Sequence, residues 1–187
     1  MHLVHFPAIK SFLNQMVGAE HRHGHSGRSE EAPMKSIADL LTPQDIALDV
    51  VVSGKSELLD EIGQHMESVH GIPEGSVIRS LAHREQIGST ALGQGIAIPH
   101  ARIKELDRIQ LMYLRLRLPV PFNAPDGKPV ADVLVILVPK LATQEHLQIL
   151  AETSQMFSDH VFRERLHRCT NPVQVKQLFD CWPKGSF

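Results

Sequence analysis

The sequence predicts an α/β fold, specifically a three-layer α/β/α sandwich with a central mixed sheet flanked by helices. Residues 55–69 carry apolar side chains at helical spacing, and residues 109–118 alternate between apolar and polar side chains. Residues 130–138 are nearly all apolar and β-branched, which is typical of a central strand buried on both faces. Helices that surround such strands are expected to cover both faces of the sheet.

The first half of the chain is predicted to hold two helices followed by strands. The helical stretch at residues 55–69 is followed by Pro73, which is placed to open a second helix. Residues 96–98 are a short, β-prone segment. In the half-buried strand at residues 109–118, the alternation predicts leucines on the inner side and Tyr113 on the outer, polar side.

The second half of the chain is predicted to hold one long strand and three helices. The strand at residues 130–138 leads into a long helix that begins at Thr143 and ends near Ser158. Asp159 and Asn171 are each placed to cap a further helix, because their side-chain oxygens can accept a backbone N–H of the first turn. Asn171 is also followed by proline, which is favoured at the first helical position.

Residues 1–33 differ in composition from the rest of the chain and are expected to be a flexible N-terminal extension. Their second half is polar and rich in glycine and serine, as in a linker. One domain is expected to span residues 34–182, followed by a short C-terminal tail at residues 183–187. A chain of 187 residues is long enough for one such domain with a sizeable core.

The composition excludes several classes of partner. The net charge is only −2 at pH 7, so no nucleic-acid partner is implied. No apolar run approaches the ~20 residues of a membrane helix, so no membrane insertion is expected. The two cysteines, Cys169 and Cys181, lack metal-ligand spacing and are expected to be reduced thiols of a cytoplasmic protein. No cofactor is expected.

Most of the histidines belong to no motif. His21, His23 and His25 alternate within the N-terminal extension, where they could form either a metal site or a solvated tail. The tail is favoured because no rigid supporting groups are evident, and no metal site is predicted. Five others are predicted to be surface residues: His65, His70, His83, His160 and His167.

The segment REQIGSTALGQGIAIPHAR, residues 84–102, combines three glycines, two hydroxyls, a short apolar strand and one histidine between cationic ends. Glycines let the backbone approach a ligand closely. Backbone N–H groups, hydroxyls and arginines bind the oxygens of a phosphoryl group. Histidine is neutral enough near pH 7 to act as a nucleophile. The segment therefore predicts a site at which the imidazole of His100 accepts and returns a phosphoryl group.

This segment resembles the active-site region of the mannitol/fructose-type enzyme IIA proteins of the bacterial phosphotransferase system. It is most similar to their nitrogen-regulatory branch, whose signature is R-E-x-x-G-S-T-x-x-G-x-G-I-A-I-P-H. Every fixed position of that signature is present from Arg84 to His100. A weaker likeness extends over residues 34–182 and includes His146, at the position where the family carries its second active-site histidine.

The resemblance implies roles for three side chains. His100 is expected to be the phosphoryl acceptor. His146 is expected to face it from the first turn of a helix and to donate a hydrogen bond to a phosphoryl oxygen. Arg84 matches a family arginine whose guanidinium suits bidentate phosphate contact, although a solvated helix end paired with Glu85 is an equally good interpretation. None of the three is expected to need a metal.

The residues before His100 have two interpretations. Ser89 and Thr90 could donate hydrogen bonds to phosphoryl oxygens, or they could only satisfy the glycine-rich loop. Gly88 and Gly95 are assigned to the phosphate-binding loop because they shape its backbone. Three residues within or next to the motif are predicted to contact a docked carrier protein: Gln94, Ala101 and Arg102.

The resemblance also implies partners. Phosphate would come from phosphoenolpyruvate through an enzyme I and a small HPr-like phosphocarrier. The phosphorylation state of His100 would then control regulatory targets such as potassium transporters or sensor kinases. One alternative is a sugar-specific IIA component of fructose- or mannitol-type transport. A second alternative, of another class, is a non-catalytic regulatory binding module of the same fold.

Overall fold

The computed structural model describes residues 35–141 and 144–182. Its strands are β1 (Ile46–Val50), β2 (Ala91–Gly93), β3 (Ile96–Ala97), β4 (His100–Ile103), β5 (Gln110–Val120) and β6 (Val130–Pro139). Its α-helices are α1 (Ile37–Leu40), α2 (Lys55–His70), α3 (Glu74–Ile87), α4 (Gln144–Ser158), α5 (His160–Arg168) and α6 (Pro172–Asp180), with a 3-10 helix at Pro43–Asp45. Within these described ranges, no helix has the length and apolar character to cross a membrane. The histidines of the N-terminal extension and the predicted helix start at Thr143 lie outside the described residues.

The strands form one mixed sheet with β6 at its centre. The order is β1-β5-β6-β3-β2, and β4 also pairs with β6. Strand β6 is antiparallel to β5 and parallel to β3 and β4, while β1 is parallel to β5. Residues 132–138 of β6 are all buried. The prediction of a mixed sheet with a central strand buried on both faces is therefore confirmed.

Alternate residues of β6 face two separate hydrophobic cores. Side chains in a strand point to opposite faces with a period of two. Leu134, Ile136 and Val138 pack into the core formed with α1, α4, α5 and α6. Val133, Val135 and Leu137 pack into the core formed with α2 and α3. Helices thus cover both faces of the sheet, which confirms the three-layer sandwich.

Strand β5 differs from its prediction. Tyr113 was expected on a polar face, but it is fully buried, and its hydroxyl donates a hydrogen bond of 2.5 Å to the buried Asp132 carboxylate. The reason is the position of β5 between β1 and β6, where α6 covers this face; the Phe179 ring of α6 lies 6.0 Å from the Tyr113 ring. Further along β5, the Arg115 guanidinium bonds the Cys169 carbonyl at 2.8 Å.

Local side-chain contacts determine where the helices begin and how closely they approach. Asp159 accepts the Phe162 backbone N–H at 2.8 Å, and Asn171 accepts that of Gln174 at 3.0 Å, so both predicted caps are confirmed. Between α2 and α3, an added Cβ at Gly63 would lie only 2.8 Å from a side-chain carbon of Ile78. The absence of a side chain at this position therefore permits the close packing of α3, the helix that carries Arg84.

Candidate functional site

Three elements bring the predicted histidines and arginine into one pocket of about 400 Å³. His100 is the first residue of β4, Arg84 lies in the last turn of α3, and His146 lies in the first turn of α4. Helices α3 and α4 pack on opposite faces of the sheet, so both outer layers contribute side chains to the pocket. Its lining residues are Arg79, Ser80, His83, Arg84, Ile87, His100, Ala101, Arg102 and His146.

The hydrogen bonds of His100 define which of its ring nitrogens can react. Nδ1 lies 2.7 Å from the carbonyl oxygen of Ile98, and a carbonyl only accepts, so Nδ1 carries the proton. Nε2 lies 3.0 Å from the Arg84 Nε, which can only donate, so Nε2 accepts through its lone pair. The neutral imidazole is thus held in the tautomer whose nucleophilic lone pair is on Nε2.

Burial keeps both pocket histidines neutral. His100 is 3% exposed, and its pKa is lowered to about 3, mainly by desolvation and also by the nearby Arg84 and His146, while the bond to Ile98 opposes the shift. Desolvation, assisted by the charge of Arg102, lowers the pKa of His146 to about 4. At neutral pH the Nε2 of His100 therefore carries a lone pair rather than a proton.

We expect both rings to titrate well below the ordinary histidine pKa of 6.5. Because both folded-state pKa values are lowered, the unfolded chain binds more protons between pH 6.5 and about 4, and stability falls as the pH decreases through this window. Imidazole nitrogen chemical shifts followed against pH check the first expectation, and thermal melting against pH checks the second. A titration midpoint near pH 6.5 for either ring would contradict the first expectation.

His146 presents a buried nitrogen toward the same space. The side chain is 2% exposed, and its Nε2 has no hydrogen-bond partner among the residues that the structure describes. The ring centroids of His100 and His146 are 6.4 Å apart, with 51° between the ring planes. A buried polar nitrogen without a partner costs about 1–3 kcal/mol. The arrangement therefore favours a ligand that offers a hydrogen-bonding oxygen between the two rings.

Arg84 is fixed at the edge of the pocket by two hydrogen bonds. Its Nε donates to His100, and its Nη1 donates to the Gly88 carbonyl at 2.8 Å. The neighbouring Glu85 forms a salt bridge of 2.8 Å with Lys55 of α2. The guanidinium therefore lies beside His100, and its contact with a phosphoryl group remains a prediction.

The hydroxyl groups of the loop make contacts within the protein. Ser89 Oγ donates to the Phe122 carbonyl at 2.7 Å, and Thr90 Oγ1 donates to the Glu85 carboxylate at 2.7 Å. Glu85 also accepts the Thr90 backbone N–H at 3.0 Å. In this structure the two hydroxyls and the carbonyl of Gly88 therefore support the loop, and contacts from these residues to phosphate remain a prediction.

The remaining glycines of the motif form the β2–β3 hairpin. Gly93, Gln94 and Gly95 all have positive φ angles, of 90°, 57° and 79°. This left-handed backbone favours glycine at the two flanking positions. The Gln94 backbone N–H is held by the Asp126 carboxylate at 2.8 Å.

This hairpin is displaced from His100 along the sheet. Ile96 lies opposite Asp132 of β6, whereas His100 lies opposite Ile136, four residues further on. At the rise of a parallel strand this separation is about 13 Å. The structure therefore does not bring Gln94 and Gly95 to the pocket, although it does bring Ala101 and Arg102 there.

Several groups of the site were not identified from the sequence. The Ile98 carbonyl, which fixes the His100 tautomer, lies only two residues before it. Glu85 braces the loop through Thr90 and ties it to Lys55. Helical spacing from Arg84 was the signal that could have found Ser80 and Ile87, which lie four residues before it and three after it. Arg79 and His83 complete the α3 lining of the pocket.

A family model and two related proteins assign this chain to the same family. A family model described as phosphoenolpyruvate-dependent sugar phosphotransferase system, EIIA 2, matches residues 39–181. The chain is 35% identical over 148 residues to a nitrogen regulatory protein of Pseudomonas aeruginosa, covering 78% of this chain and 95% of that protein. It is 34% identical over 130 residues to a nitrogen regulatory protein of Bradyrhizobium diazoefficiens, covering 70% of this chain and 85% of that protein.

Solved structures show the same relationship. The crystal structure of nitrogen regulatory protein IIA-Ntr from Neisseria meningitidis matches with a TM-score of 0.73 and 38% identity, covering 76% of this chain and 98% of that one. IIA mannitol from Escherichia coli matches with a TM-score of 0.63 over 74% of this chain and 98% of that one; at 22% identity it supports the fold alone. The chain therefore belongs to the type 2 enzyme IIA family of the phosphoenolpyruvate-dependent phosphotransferase system, with the nitrogen regulatory proteins among its relatives.

Proposed function

We propose that this chain is a phosphohistidine carrier and regulator that accepts a phosphoryl group on Nε2 of His100 from an HPr-like phosphocarrier. The observation that carries the proposal is the pair of hydrogen bonds on the His100 ring. Nδ1–H is held by a backbone carbonyl, and the Nε2 lone pair lies beside a guanidinium in the pocket. Such an imidazole is neutral, oriented and close to a cation that can stabilise phosphoryl oxygens.

The transfer step exchanges one phosphorus–nitrogen bond for another. The Nε2 lone pair attacks phosphorus in line with the bond to the carrier's histidine, and that bond breaks with its electron pair returning to the carrier's imidazole. Positioning and charge stabilisation account for most of the catalysis of such transfers. The Ile98 carbonyl then stabilises the positive charge that the His100 ring gains, because it accepts the Nδ1–H bond.

Arg84 and His146 assist this step without accepting phosphate. Arg84 Nε occupies the His100 lone pair before transfer, so its guanidinium must turn from Nε2 to the phosphoryl oxygens as the new bond forms. The buried His146 Nε2 would donate to another phosphoryl oxygen from the opposite layer. The phosphoryl group would thereby connect helices α3 and α4 across the pocket.

Phosphorylation would change the surface that a regulatory target meets. A phosphoryl group adds roughly −2 charge, and Arg102, which is exposed, lies at the pocket rim. Targets such as potassium transporters or sensor kinases would then distinguish the two states by charge. The name of the relatives, nitrogen regulatory protein, supports this regulatory role. The compartment that we propose for it is the bacterial cytoplasm.

The proposal is tested by reconstituting the phosphoryl chain. The protein is incubated with phosphoenolpyruvate, an enzyme I and an HPr-like carrier, and the phosphate is located by mass spectrometry and by phosphorus NMR. One acid-labile group on Nε2 of His100 is expected. Phosphate on Nδ1 or on another residue would contradict the assignment. Onward transfer to a sugar-specific IIB domain would favour the transport alternative, and no labelling would favour a binding module.

The carrier is expected to dock over His100, with Arg102 at the edge of its footprint. Arg102→Glu places a negative charge beside an anionic phosphoryl donor, so transfer is expected to slow by about 10-fold or more at low ionic strength. Arg102→Gln, which only removes charge, should lie between that variant and the wild type. The rate of transfer from the phosphorylated carrier, measured at several salt concentrations, checks both.

Gln94→Glu shows how far the docking surface extends. The sequence predicts a carrier contact there as well, although the hairpin lies about 13 Å along the sheet from His100. Slower transfer in this variant would extend the footprint to the hairpin. Wild-type rates in all three variants would contradict the docking surface as a whole.

A further inference from the structure

Asp45, His65 and His70 form a second side-chain cluster, which shares no residue with the His100 pocket. Both histidines were expected on the surface, but the structure makes them half-buried and directs both Nε2 atoms at one oxygen. Asp45 Oδ1 lies 3.4 Å from His65 Nε2 and 2.5 Å from His70 Nε2. We propose that this cluster is a binding site for a divalent transition-metal ion of the zinc class.

The geometry of the cluster is close to that of a three-ligand metal site. One ligand atom from each residue lies within 4.8 Å of the other two. In a tetrahedral zinc site with bonds of 2.0–2.2 Å, two ligand atoms are about 3.4 Å apart. The His65–Asp45 distance already has this value, and the His70–Asp45 distance must open from 2.5 Å to about the same length. Solvent would complete the fourth position.

The donor set selects the class of ion. Two imidazole nitrogens and one carboxylate oxygen suit zinc and neighbouring divalent transition metals, whereas magnesium and calcium prefer oxygen ligands alone. The carboxylate is also oriented from behind, since the Thr42 hydroxyl donates to Asp45 Oδ2 at 2.6 Å. This contact leaves Oδ1 directed at the two histidines, which is the usual effect of a group that supports a metal ligand.

The position of the cluster favours a cation and gives it a route of entry. His70 is the last residue of α2, and the carbonyl end of a helix attracts positive charge. His70 also borders an open groove of about 230 Å³ that is lined by Glu105, Asp107 and Arg108. The Asp45 side chain is almost fully buried, so an ion that reaches it from this groove would be largely removed from solvent.

A bound ion would join two elements of the fold. Asp45 ends the 3-10 helix that precedes β1, and the two histidines lie on α2. Helix α2 packs closely on α3, which carries Arg84 into the other pocket. Metal binding is therefore expected to stabilise the α2–α3 layer while contributing no group to phosphoryl transfer.

The test is a zinc titration of the full chain in competition with a chromophoric chelator. The parent for the comparison carries alanine at the N-terminal histidines (His2, His5, His21, His23 and His25) and Cys181→Ser, because these exposed or terminal groups could bind zinc on their own. His65→Ala and His70→Ala each remove a direct ligand and are expected to weaken the binding of one zinc equivalent by at least about 10- to 100-fold, the range for loss of a group that only supports a ligand. His160→Ala, an exposed histidine of α5 outside the cluster, is the matched control and should bind as the parent does.

A second measurement assigns the ion to the site. Imidazole nitrogen shifts at one equivalent of zinc are expected to change for His65 and His70 rather than for His100 and His146. His70→Gln replaces the alanine variant if circular dichroism shows that the latter is unfolded. A parent that binds no zinc, variants that bind as the parent does, or shifts confined to the His100 pocket would each overturn the proposal.

Discussion

His100→Ala is expected to abolish the acid-labile, base-stable phosphate that the wild-type chain takes from phosphoenolpyruvate through enzyme I and an HPr-like carrier. The pocket holds the His100 lone pair in one orientation, with Nδ1–H on the Ile98 carbonyl and Nε2 beside Arg84. Alanine removes the nucleophile itself, so labelling should fall below detection rather than slow. Radiolabelled or intact-mass measurement of the phosphorylated fraction checks this.

A fold control separates loss of the nucleophile from loss of structure. His100 is buried, and alanine leaves the Ile98 carbonyl and the Arg84 guanidinium without this partner, at a cost of about 1–3 kcal/mol for an unsatisfied group. His100→Gln keeps a polar side chain in the same space and is expected to be equally inactive with a smaller change in melting temperature. His160→Ala should be labelled as the wild type is. Full labelling of either His100 variant would contradict the assignment of His100 as the phosphorylated residue.

The features of the fold that could be predicted from the sequence depend on short-range patterns. The caps at Asp159 and Asn171 involve a side chain and a backbone N–H only three residues apart. The apolar composition of residues 130–138 is by itself enough to indicate that the strand is buried. Tyr113 could not be placed in the same way. Its hydroxyl is satisfied by Asp132 on the adjacent strand, a contact that becomes visible only when β5 and β6 are paired.

The candidate site could also be predicted only in part from the sequence. His100 could be found because the motif ends on it, but neighbours within a motif are not neighbours in space. The chain turns back through the β2–β3 hairpin, which carries Gln94 and Gly95 away from the pocket. Arg84 and His146 reach it from different layers of the sandwich, so their contacts with His100 depend on the whole fold.

The cluster of Asp45, His65 and His70 could not be predicted from sequence patterns at all. Asp45 lies 20 residues before His65 in the sequence, and no spacing rule connects it with the histidines. Their convergence depends on the tertiary fold, which places Asp45, at the end of the 3-10 helix, beside the two histidines of α2. A histidine with no motif therefore gave no signal of the cluster before the tertiary structure was known.

His146→Ala and Arg84→Ala are each expected to slow phosphoryl transfer by about 10- to 1000-fold, the scale for loss of one donor to a developing charge. His146 Nε2 is buried and has no hydrogen-bond partner in the described part of the chain, so its contact would be made only when a phosphoryl group arrives. A contact that exists mainly in the transition state and product lowers the activation barrier and leaves the affinity for the carrier unchanged. The single-turnover rate constant should therefore fall while the carrier concentration at half-saturation changes little.

Arg84 is expected to behave differently from His146, because it already contacts His100 before transfer. Removing its guanidinium releases the Nε2 lone pair but also removes the cation that faces the phosphoryl oxygens. The second effect should dominate. A charged donor stabilises the transition state by more free energy than it costs to break one hydrogen bond to the neutral imidazole. Arg84→Lys, which retains charge but not the two-point contact with His100 and Gly88, should recover only part of the rate. Rapid-quench measurement of transfer from the phosphorylated carrier distinguishes these cases, and wild-type rates in both alanine variants would show that neither side chain touches the phosphoryl group.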